Sequence, residues 1–145
     1  MTGLVLDACG STQDELVARL RAGERLDWVL AREQTGGRGR RGRAWTSPRD
    51  ASLSVSAAFP DWTDHPAPWL LGMLVALVAA ELTDVGVRWP NDLVIGDRKV
   101  GGLLHERPTV DGRPVSIVGL GMNLRRATLP PEVAGIAISL EEAER

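Results

Sequence analysis

The chain has 145 residues, is 43% hydrophobic and 25% charged, and carries a formal net charge of −2; this favours one globular domain and argues against a general nucleic-acid-binding protein. Its longest apolar run, residues 69–82, is too short to cross a bilayer, which needs about 20 residues. The single cysteine, Cys9, cannot form an internal disulfide. We therefore expect a reduced, cytoplasmic protein that binds neither nucleic acid nor membrane.

The first part of the chain predicts a strand, a helix and a second strand. Residues 3–8 are a short apolar run that indicates a strand. The polar run 11–15 has capping-box spacing, which predicts that a helix begins there, and Gly23 is a typical helix end. Residues 25–31 have apolar side chains at every second position, which is typical of a strand.

The arginine loop, residues 32–45, reads R-E-Q-T-G-G-R-G-R-R-G-R-A-W and holds four glycines and five arginines. Each glycine costs about 0.5–1 kcal/mol relative to alanine inside a regular element, so this segment is predicted to be a loop. Arginine suits the planar, bidentate capture of carboxylate or phosphate. We interpret the segment as a mobile cationic loop that closes over an anion; the alternative is a disordered basic patch.

Residues 51–60 alternate between apolar side chains and serines, which predicts a half-buried strand. Residues 69–83 follow Pro68 and precede Gly86, and they are apolar on nearly all sides. This pattern predicts a helix that lies buried at the centre of the protein.

The second half of the chain predicts short strands joined by tight turns. The segments 87–89, 93–95, 99–106 and 115–120 are the strand candidates, with a hairpin turn at Asp111-Gly112. Strands joined in this way are antiparallel neighbours, so the predicted fold is α+β, with a mixed, mostly antiparallel sheet and flanking helices. Ser139 has the spacing of one more capping box.

Polar clusters at the predicted strand ends are the candidates for chemistry. They comprise residues 11–13, the arginine loop, Asn91-Asp92, Lys99 with the glycines that follow it, and residues 119–123. Each has a structural alternative: a helix cap, a solvated patch, a turn, an edge residue or a close backbone approach. Lys99 is the one lysine among 17 basic residues.

No Walker motif, nucleophile elbow or neighbouring cysteine–histidine pair is present in the sequence. His105 has no second histidine or cysteine at ligand spacing, which favours a packed histidine over a metal ligand. The available chemistry is therefore electrostatic, and it suits a phosphoryl or acyl-phosphate centre.

Four motifs occur in the order G-R-G-R-R-G-R-x-W, W-P-N-D-L, K-V-G-G-L-L-x-E and G-L-G-M-N. Together they resemble the catalytic domain of biotin–protein ligases, or biotin–[acetyl-CoA-carboxylase] ligases, and the resemblance extends over residues 4–140. It implies a fold similar to class II aminoacyl-tRNA synthetases. It also implies MgATP-dependent conversion of biotin to biotinyl-5′-AMP and transfer to a lysine of a carboxylase acceptor domain. Lipoate ligases share this fold but carry a different glycine-rich loop, so biotin is preferred.

The resemblance implies a role for each matching residue. The biotin-binding residues are Ser11, Thr12, Gln34, Arg38 and Gly102. The residues that bind ATP or the adenylate are Arg38, Gly39, Arg40, Arg41, Arg43, Trp45, Asn91, Lys99 and Asn123. The catalytic residues are Lys99, Arg38 and Asp92. Mg²⁺ enters on the ATP phosphates, with Asn91 as the candidate protein group beside it, and no firm metal ligand is assigned.

The resemblance also sets expectations for the domain and its partners. We expect one catalytic domain over residues 1–145, shortened at its C-terminus, with no N-terminal DNA-binding domain and no C-terminal β-domain. A homodimer is left open, and position 13 is Gln where the family usually has Asn. Two alternatives remain: a non-catalytic binder of biotin or biotinyl-AMP, and a lipoate or octanoate transferase on the same fold.

Overall fold

A seven-stranded sheet forms the centre of the computed structural model, which describes residues 1–126 and 129–144. Its strands are β1 Gly3–Leu6, β2 Trp28–Ala31, β3 Ser52–Phe59, β4 Gly86–Arg88, β5 Asp92–Ile95, β6 Arg98–Glu106 and β9 Ser116–Asn123, in the spatial order β1-β2-β3-β9-β6-β5-β4. Strands β1 and β2 pair in parallel, and the other pairings in this sheet are antiparallel. The predicted mixed, mostly antiparallel sheet is confirmed.

A separate two-stranded ribbon connects β6 to β9. It consists of β7 Thr109–Val110 and β8 Arg113–Pro114. The residues between them, Asp111 and Gly112, have φ angles of 49° and 76°, as a tight hairpin turn requires. The turn predicted from the Asp-Gly pair is confirmed.

In the part of the chain that the structure describes, three α-helices accompany the sheet: α1 Thr12–Arg21, α2 Leu70–Thr83 and the short α3 Leu140–Ala143. Leu16 of α1 packs with Val29 and Ile117, whereas α2 packs on a cluster that includes Val118. Consecutive residues of a strand point to opposite faces, so the two long helices cover opposite faces of the sheet. Among the residues described, no helix is long and apolar enough to cross a membrane.

The expectation that α2 is a central buried helix is wrong. Its buried side chains are Leu71, Ala76, Ala79 and Ala80. Its opposite side is exposed and carries Leu74, Leu77, Val78 and Leu82, the last of which is 81% exposed. The helix forms an outer layer with the sheet on one side, so an apolar composition on all sides does not bury all sides.

Strand β3 is confirmed, but its more buried face carries the serines, whereas the alternation favours burial of the apolar face. Ser52, Ser54 and Ser56 are all buried, and Ser56 is only 1% exposed. Thr12 and Gln13 at the start of α1 hydrogen-bond with Ser56, so α1 packs over the serine side of β3. Alternation therefore predicts the strand, but it does not show which face is covered.

The two predicted capping boxes behave differently. The Ser139 hydroxyl accepts a hydrogen bond from the Glu142 backbone N–H at 3.2 Å, which confirms the cap of α3. Ser11 occupies the N-cap position of α1, but its side chain makes no capping hydrogen bond. The helix begins where predicted, and the Ser11 hydroxyl lies at the site described next.

Candidate active site

A cavity of about 370 Å³ opens over the serine face of β3. The sheet forms its floor, and the N-terminus of α1, the arginine loop and residues 129–137 form its walls. Most of the predicted site residues line it: Ser11, Thr12, Gln34, Arg38, Gly39, Arg40, Arg43, Trp45, Asn91, Asp92, Lys99, Gly102 and Asn123. Arg41 does not; it is an exposed residue of the 3₁₀ turn Arg40–Gly42 with φ of 60°.

Glycines make the floor of the cavity flat. Gly102 of β6 pairs with Gly121 of β9. Gly119 is the next residue of β9 on the same face of the sheet, and it pairs with Leu104. The ring of Trp45 occupies the space above Gly121, because a Cβ at this position would lie 2.6 Å from the ring atoms Cε2 and Nε1. The glycines of the fourth sequence motif are therefore required by close approach rather than by backbone conformation.

Arg38 is held between two carboxylates at the wall of the cavity. It donates to Asp14 at 2.6 Å, to Glu106 at 2.9 Å and to the Ser11 hydroxyl at 3.4 Å. The hydrogen bond to Asp14 raises the pKa of Arg38, burial opposes that effect, and Glu106 reinforces it. The guanidinium is a fixed positive charge, and sequence reasoning did not predict either of its acidic partners.

Lys99 is oriented by Asp92. Its ammonium donates to Asp92 Oδ1 at 2.7 Å and lies 5.7 Å from the centroid of the Trp45 ring. Arg88 donates to the other oxygen of Asp92 at 3.1 Å. Burial by itself would raise the pKa of Asp92, but the hydrogen bonds from Lys99 and Arg88 outweigh it and leave this pKa below its ordinary value. Asp92 is thus an ionised acceptor that orients the Lys99 ammonium toward the cavity.

A hydrogen bond ties the arginine loop to the far side of the cavity. Arg40 donates to the Asn91 side-chain oxygen at 3.0 Å. Asn91 is itself fixed by two hydrogen bonds to Leu103. Its side-chain Nδ2 donates to the Leu103 carbonyl at 3.0 Å, and its backbone carbonyl accepts from the Leu103 N–H at 2.8 Å. The loop is therefore closed over the cavity in this structure, as a lid would be.

The part of the cavity beside the N-terminus of α1 is polar. Gln34 Oε1 accepts from the Thr12 backbone N–H at 2.7 Å, and the Thr12 hydroxyl lies 2.8 Å from that of Ser56. Ser56 donates to Gln13 Oε1 at 3.1 Å. Gln13 belongs to the predicted polar cluster 11–13 but was given no ligand-binding role. Ser56 was not predicted as a site residue, and the signal that could have found it is the serine stripe of β3.

Asn123 holds the wall that ends the cavity. Its amide nitrogen donates to the Ile138 carbonyl at 3.1 Å. The backbone of Lys99 bonds to the same segment on both sides, donating to Ile136 and accepting from Ile138 at 2.9 Å each. The segment 136–138 therefore lies directly beside Lys99. A role for Asn123 toward adenine stays a prediction.

No cluster of three or more histidine, cysteine, aspartate or glutamate side chains that could hold a metal ion occurs within residues 1–126 and 129–144. His105 lies on the other face of the sheet, where its Cβ would be 3.2 Å from a Cβ at Gly72 of α2. Burial, with a smaller contribution from Arg107, lowers the pKa of His105. These contacts fit the packed histidine that was predicted.

Comparison with known proteins identifies a matching family and related proteins. The model of the biotin/lipoate A/B protein ligase family matches residues 9–123. The biotin–[acetyl-CoA-carboxylase] ligase of Mycobacterium tuberculosis is 34% identical over 148 residues, which cover 94% of this chain and 53% of that protein.

Solved structures show the same fold. The biotin protein ligase from Aquifex aeolicus in complex with biotin and ATP has a TM-score of 0.74 at 30% identity, covering 98% of this chain and 60% of that one. The biotin protein ligase from Leishmania major in complex with biotinyl-5-AMP has a TM-score of 0.75 at 29% identity, covering 97% and 63%. The predicted fold is confirmed, and the chain spans less than two thirds of each of these three proteins.

Proposed function

The chain belongs to the biotin/lipoate A/B protein ligase family, and from this premise we propose that it is a biotin–protein ligase. In the first step, a biotin carboxylate oxygen attacks the α-phosphorus of ATP, the bond to the β-phosphate breaks, and pyrophosphate leaves. In the second step, the neutral amine of an acceptor lysine attacks the carbonyl of biotinyl-5′-AMP. AMP leaves, and the amine proton passes to solvent. The acceptor is the biotin-acceptor domain of a carboxylase.

The observation that carries this proposal is the polarity of one cavity. Beside the N-terminus of α1 it presents neutral hydrogen-bonding groups, Thr12 and Gln34. The cations Arg38, Arg40 and Lys99 line the same cavity, and the last two lie beside Asn91 and Asp92. Biotin has the matching polarity, with a cyclic urea at one end and a carboxylate at the other. Before they are joined, that carboxylate and the α-phosphate of ATP are two anionic groups that the cations can hold together.

Lys99 and Arg38 stabilise the charge that develops in the first step. Lys99 carries a compact ammonium on a flexible stem, and Asp92 aims it into the cavity at 2.7 Å. Such a group can follow the carboxylate oxygen as it bonds to phosphorus, while the fixed guanidinium of Arg38 holds the ground-state anion. Preorganised charges of this kind act most strongly where water is excluded.

The arginine loop excludes that water. The Arg40–Asn91 hydrogen bond closes the loop from the opposite side of the cavity, and the loop must open to admit two substrates. A closed lid protects the mixed anhydride from hydrolysis until the acceptor lysine arrives.

The side-chain oxygens of Asn91 and Asp92 lie beside the cations. They fit a magnesium ion that is bound mainly by the ATP phosphates better than one that is bound mainly by protein side chains. Mg²⁺ is commonly bound by substrate phosphates with one or two protein groups. Here Asn91 Oδ1 already accepts from Arg40, and both oxygens of Asp92 accept from cations. Bound to the phosphates beside Asn91, the ion would neutralise part of their charge.

The test combines the protein with MgATP, biotin and a carboxylase acceptor domain, and follows acceptor mass and pyrophosphate. We expect one biotinyl group on the acceptor lysine, and biotinyl-AMP retained by the protein when the acceptor is left out. A parallel reaction contains lipoate instead of biotin. Lipoate transfer without biotin transfer, or tight biotin binding with no pyrophosphate, would refute the proposal. The cytoplasmic location and the homodimer stay predictions.

A further inference from the structure

The charge around Arg38 is opposite to the charge that an anion site needs. One terminal nitrogen of its guanidinium donates to Asp14 at 2.6 Å, and the other donates to Glu106 at 2.9 Å. Because one guanidinium lies between two carboxylates, these three side chains carry a net charge of −1. A substrate carboxylate that approaches Arg38 therefore meets two like charges at close range, and both repel it.

The charges around Lys99 have the reverse balance. Lys99 and Arg88 share the carboxylate of Asp92, at 2.7 and 3.1 Å, so these three side chains carry a net charge of +1. They can accept an anion in the arrangement described. Arg38 can accept one only if Asp14 or Glu106 gives way, and the surroundings of the two carboxylates differ in this respect.

Glu106 is held from a second direction. It lies at the end of β6, and the oxygen that accepts from Arg38, Oε2, also accepts from the Gln13 side-chain nitrogen at 3.0 Å. Gln13 is only 3% exposed. If Glu106 moved away, this buried nitrogen would lose an acceptor that water cannot easily replace, which is costly. Glu106 therefore stays beside Arg38 when a substrate binds.

Asp14 can leave Arg38 at little cost. Its side chain is 65% exposed, so water replaces the hydrogen bond that it gives up. It also lies in the first turn of α1, where the helix dipole stabilises a carboxylate whether or not a guanidinium is near. Exposed ion pairs are weak because water screens both charges. The pair between Asp14 and Arg38 is therefore the one that a substrate can exchange.

We propose that Asp14 is an internal competitor of the substrate carboxylate. It holds one terminal nitrogen of Arg38 until the carboxylate binds there, and it then turns into solvent. A ligand that binds only after another contact has broken loses affinity in proportion to how rarely that contact is open. This inference rests on the proposed function and deepens it, because Asp14 then sets how strongly the site prefers a carboxylate over an uncharged ligand.

The selective variant is Asp14→Asn, with Glu15→Gln as its matched control. Asparagine has nearly the same shape and still accepts a hydrogen bond from Arg38, but it does not neutralise the guanidinium. Glu15 is the next residue of the same helical turn, and its carboxylate pairs with Arg19 at 2.7 Å. Both changes remove one negative charge from the start of α1, and only the first removes it from Arg38. Affinities for biotin and for the uncharged biotin methyl ester are measured by calorimetry at low ionic strength, where exposed charges are least screened.

We expect Asp14→Asn to bind biotin about threefold more tightly than the wild type, which is the size of effect typical of an exposed ion pair. Its affinity for the methyl ester should be unchanged, because the ester has no charge to place beside Arg38. Glu15→Gln should match the wild type with both ligands. The direction of the change is decisive, since replacing a residue that merely positions Arg38 would weaken biotin binding.

A second variant covers the case in which Asp14→Asn does not fold. Asp14→Ala removes the hydrogen bond together with the charge, and it should also bind biotin more tightly than the wild type. A wild-type protein that binds no biotin would overturn the proposed function itself. Where the wild type does bind biotin, three results would overturn only the role of Asp14: no gain in affinity in the Asp14 variants, an equal gain in Glu15→Gln, or an equal gain for the methyl ester.

Discussion

Substituting Gly121 by alanine tests whether the flat floor of the cavity sets the position of Trp45. The added Cβ would lie 2.6 Å from Cε2 and Nε1 of the ring and 3.0 Å from Cζ2. Carbon atoms in contact are separated by about 3.5–4.0 Å, so the ring must withdraw by roughly 1 Å. In an open strand position alanine would gain about 0.5–1 kcal/mol over glycine, but overpacking a rigid group costs about 1–3 kcal/mol.

The steric cost exceeds the strand preference, and we expect Gly121→Ala to lose about 1–2 kcal/mol of unfolding free energy. For a chain of this length the melting temperature should fall by roughly 3–7 °C. Urea and thermal unfolding measure both values. The control is Gly135→Ala, because a Cβ at Gly135 has no neighbour within 4 Å and should change stability by less than about 0.5 kcal/mol.

A double variant sharpens this test. Trp45→Phe shortens the ring that meets the new methyl group, so Gly121→Ala should be less costly in the Trp45→Phe background than in the wild type. Equal stability of Gly121→Ala and Gly135→Ala, or equal costs of Gly121→Ala in both backgrounds, would refute the steric explanation of this glycine.

Three further predictions concern charge. Lys99→Ala should slow pyrophosphate release at least a hundredfold, as is usual for about 2.7 kcal/mol of lost transition-state stabilisation, and change biotin affinity much less; equal losses in both would contradict its transition-state role. Arg40→Gly should break the bond to Asn91 and let biotinyl-AMP dissociate faster in a filter assay, and unchanged retention would argue against a lid. Because the folded-state pKa of His105 is lowered, the unfolded chain binds the proton first, and stability should fall as the pH drops through about 6.5. His105→Gln should flatten this dependence between pH 7.5 and 5.5, and an unaltered slope would rule out His105 as its source.

The sequence predicted the fold class and the composition of the cavity wall because both depend on local signals. Turn residues set the lengths of the strand connections, and short connections make neighbouring strands antiparallel. Glycine-rich and polar segments accumulate at strand ends, and the sheet brings those ends together. Thirteen of the predicted site residues line one cavity for this reason, whereas Arg41 turns away at a positive φ that the sequence did not signal.

What the sequence could not show is how the layers cover each face. The serines of β3 form a stripe that is typical of a solvent-facing side, but α1 covers that side. The apolar side chains on all sides of α2 suggest a buried helix, but only the side that faces the sheet is covered. Ser11 matches a helix cap, yet its hydroxyl contacts Arg38 at 3.4 Å. Each of these depends on contacts between segments that are distant in sequence, where tertiary packing overrides a local pattern.

The floor of the cavity has a consequence for the lifetime of the protein. At the middle of the sheet, where a domain usually packs its largest side chains, β6 and β9 place Gly102, Gly119 and Gly121. A ligand that fills the cavity takes the place of the missing side chains and becomes part of the packing between sheet and loop. At a hundred times its dissociation constant such a ligand adds about 2.7 kcal/mol to stability. Degradation acts on the unfolded fraction, so under the proposed function the cellular amount of this protein should rise and fall with the supply of the ligand that fills the cavity.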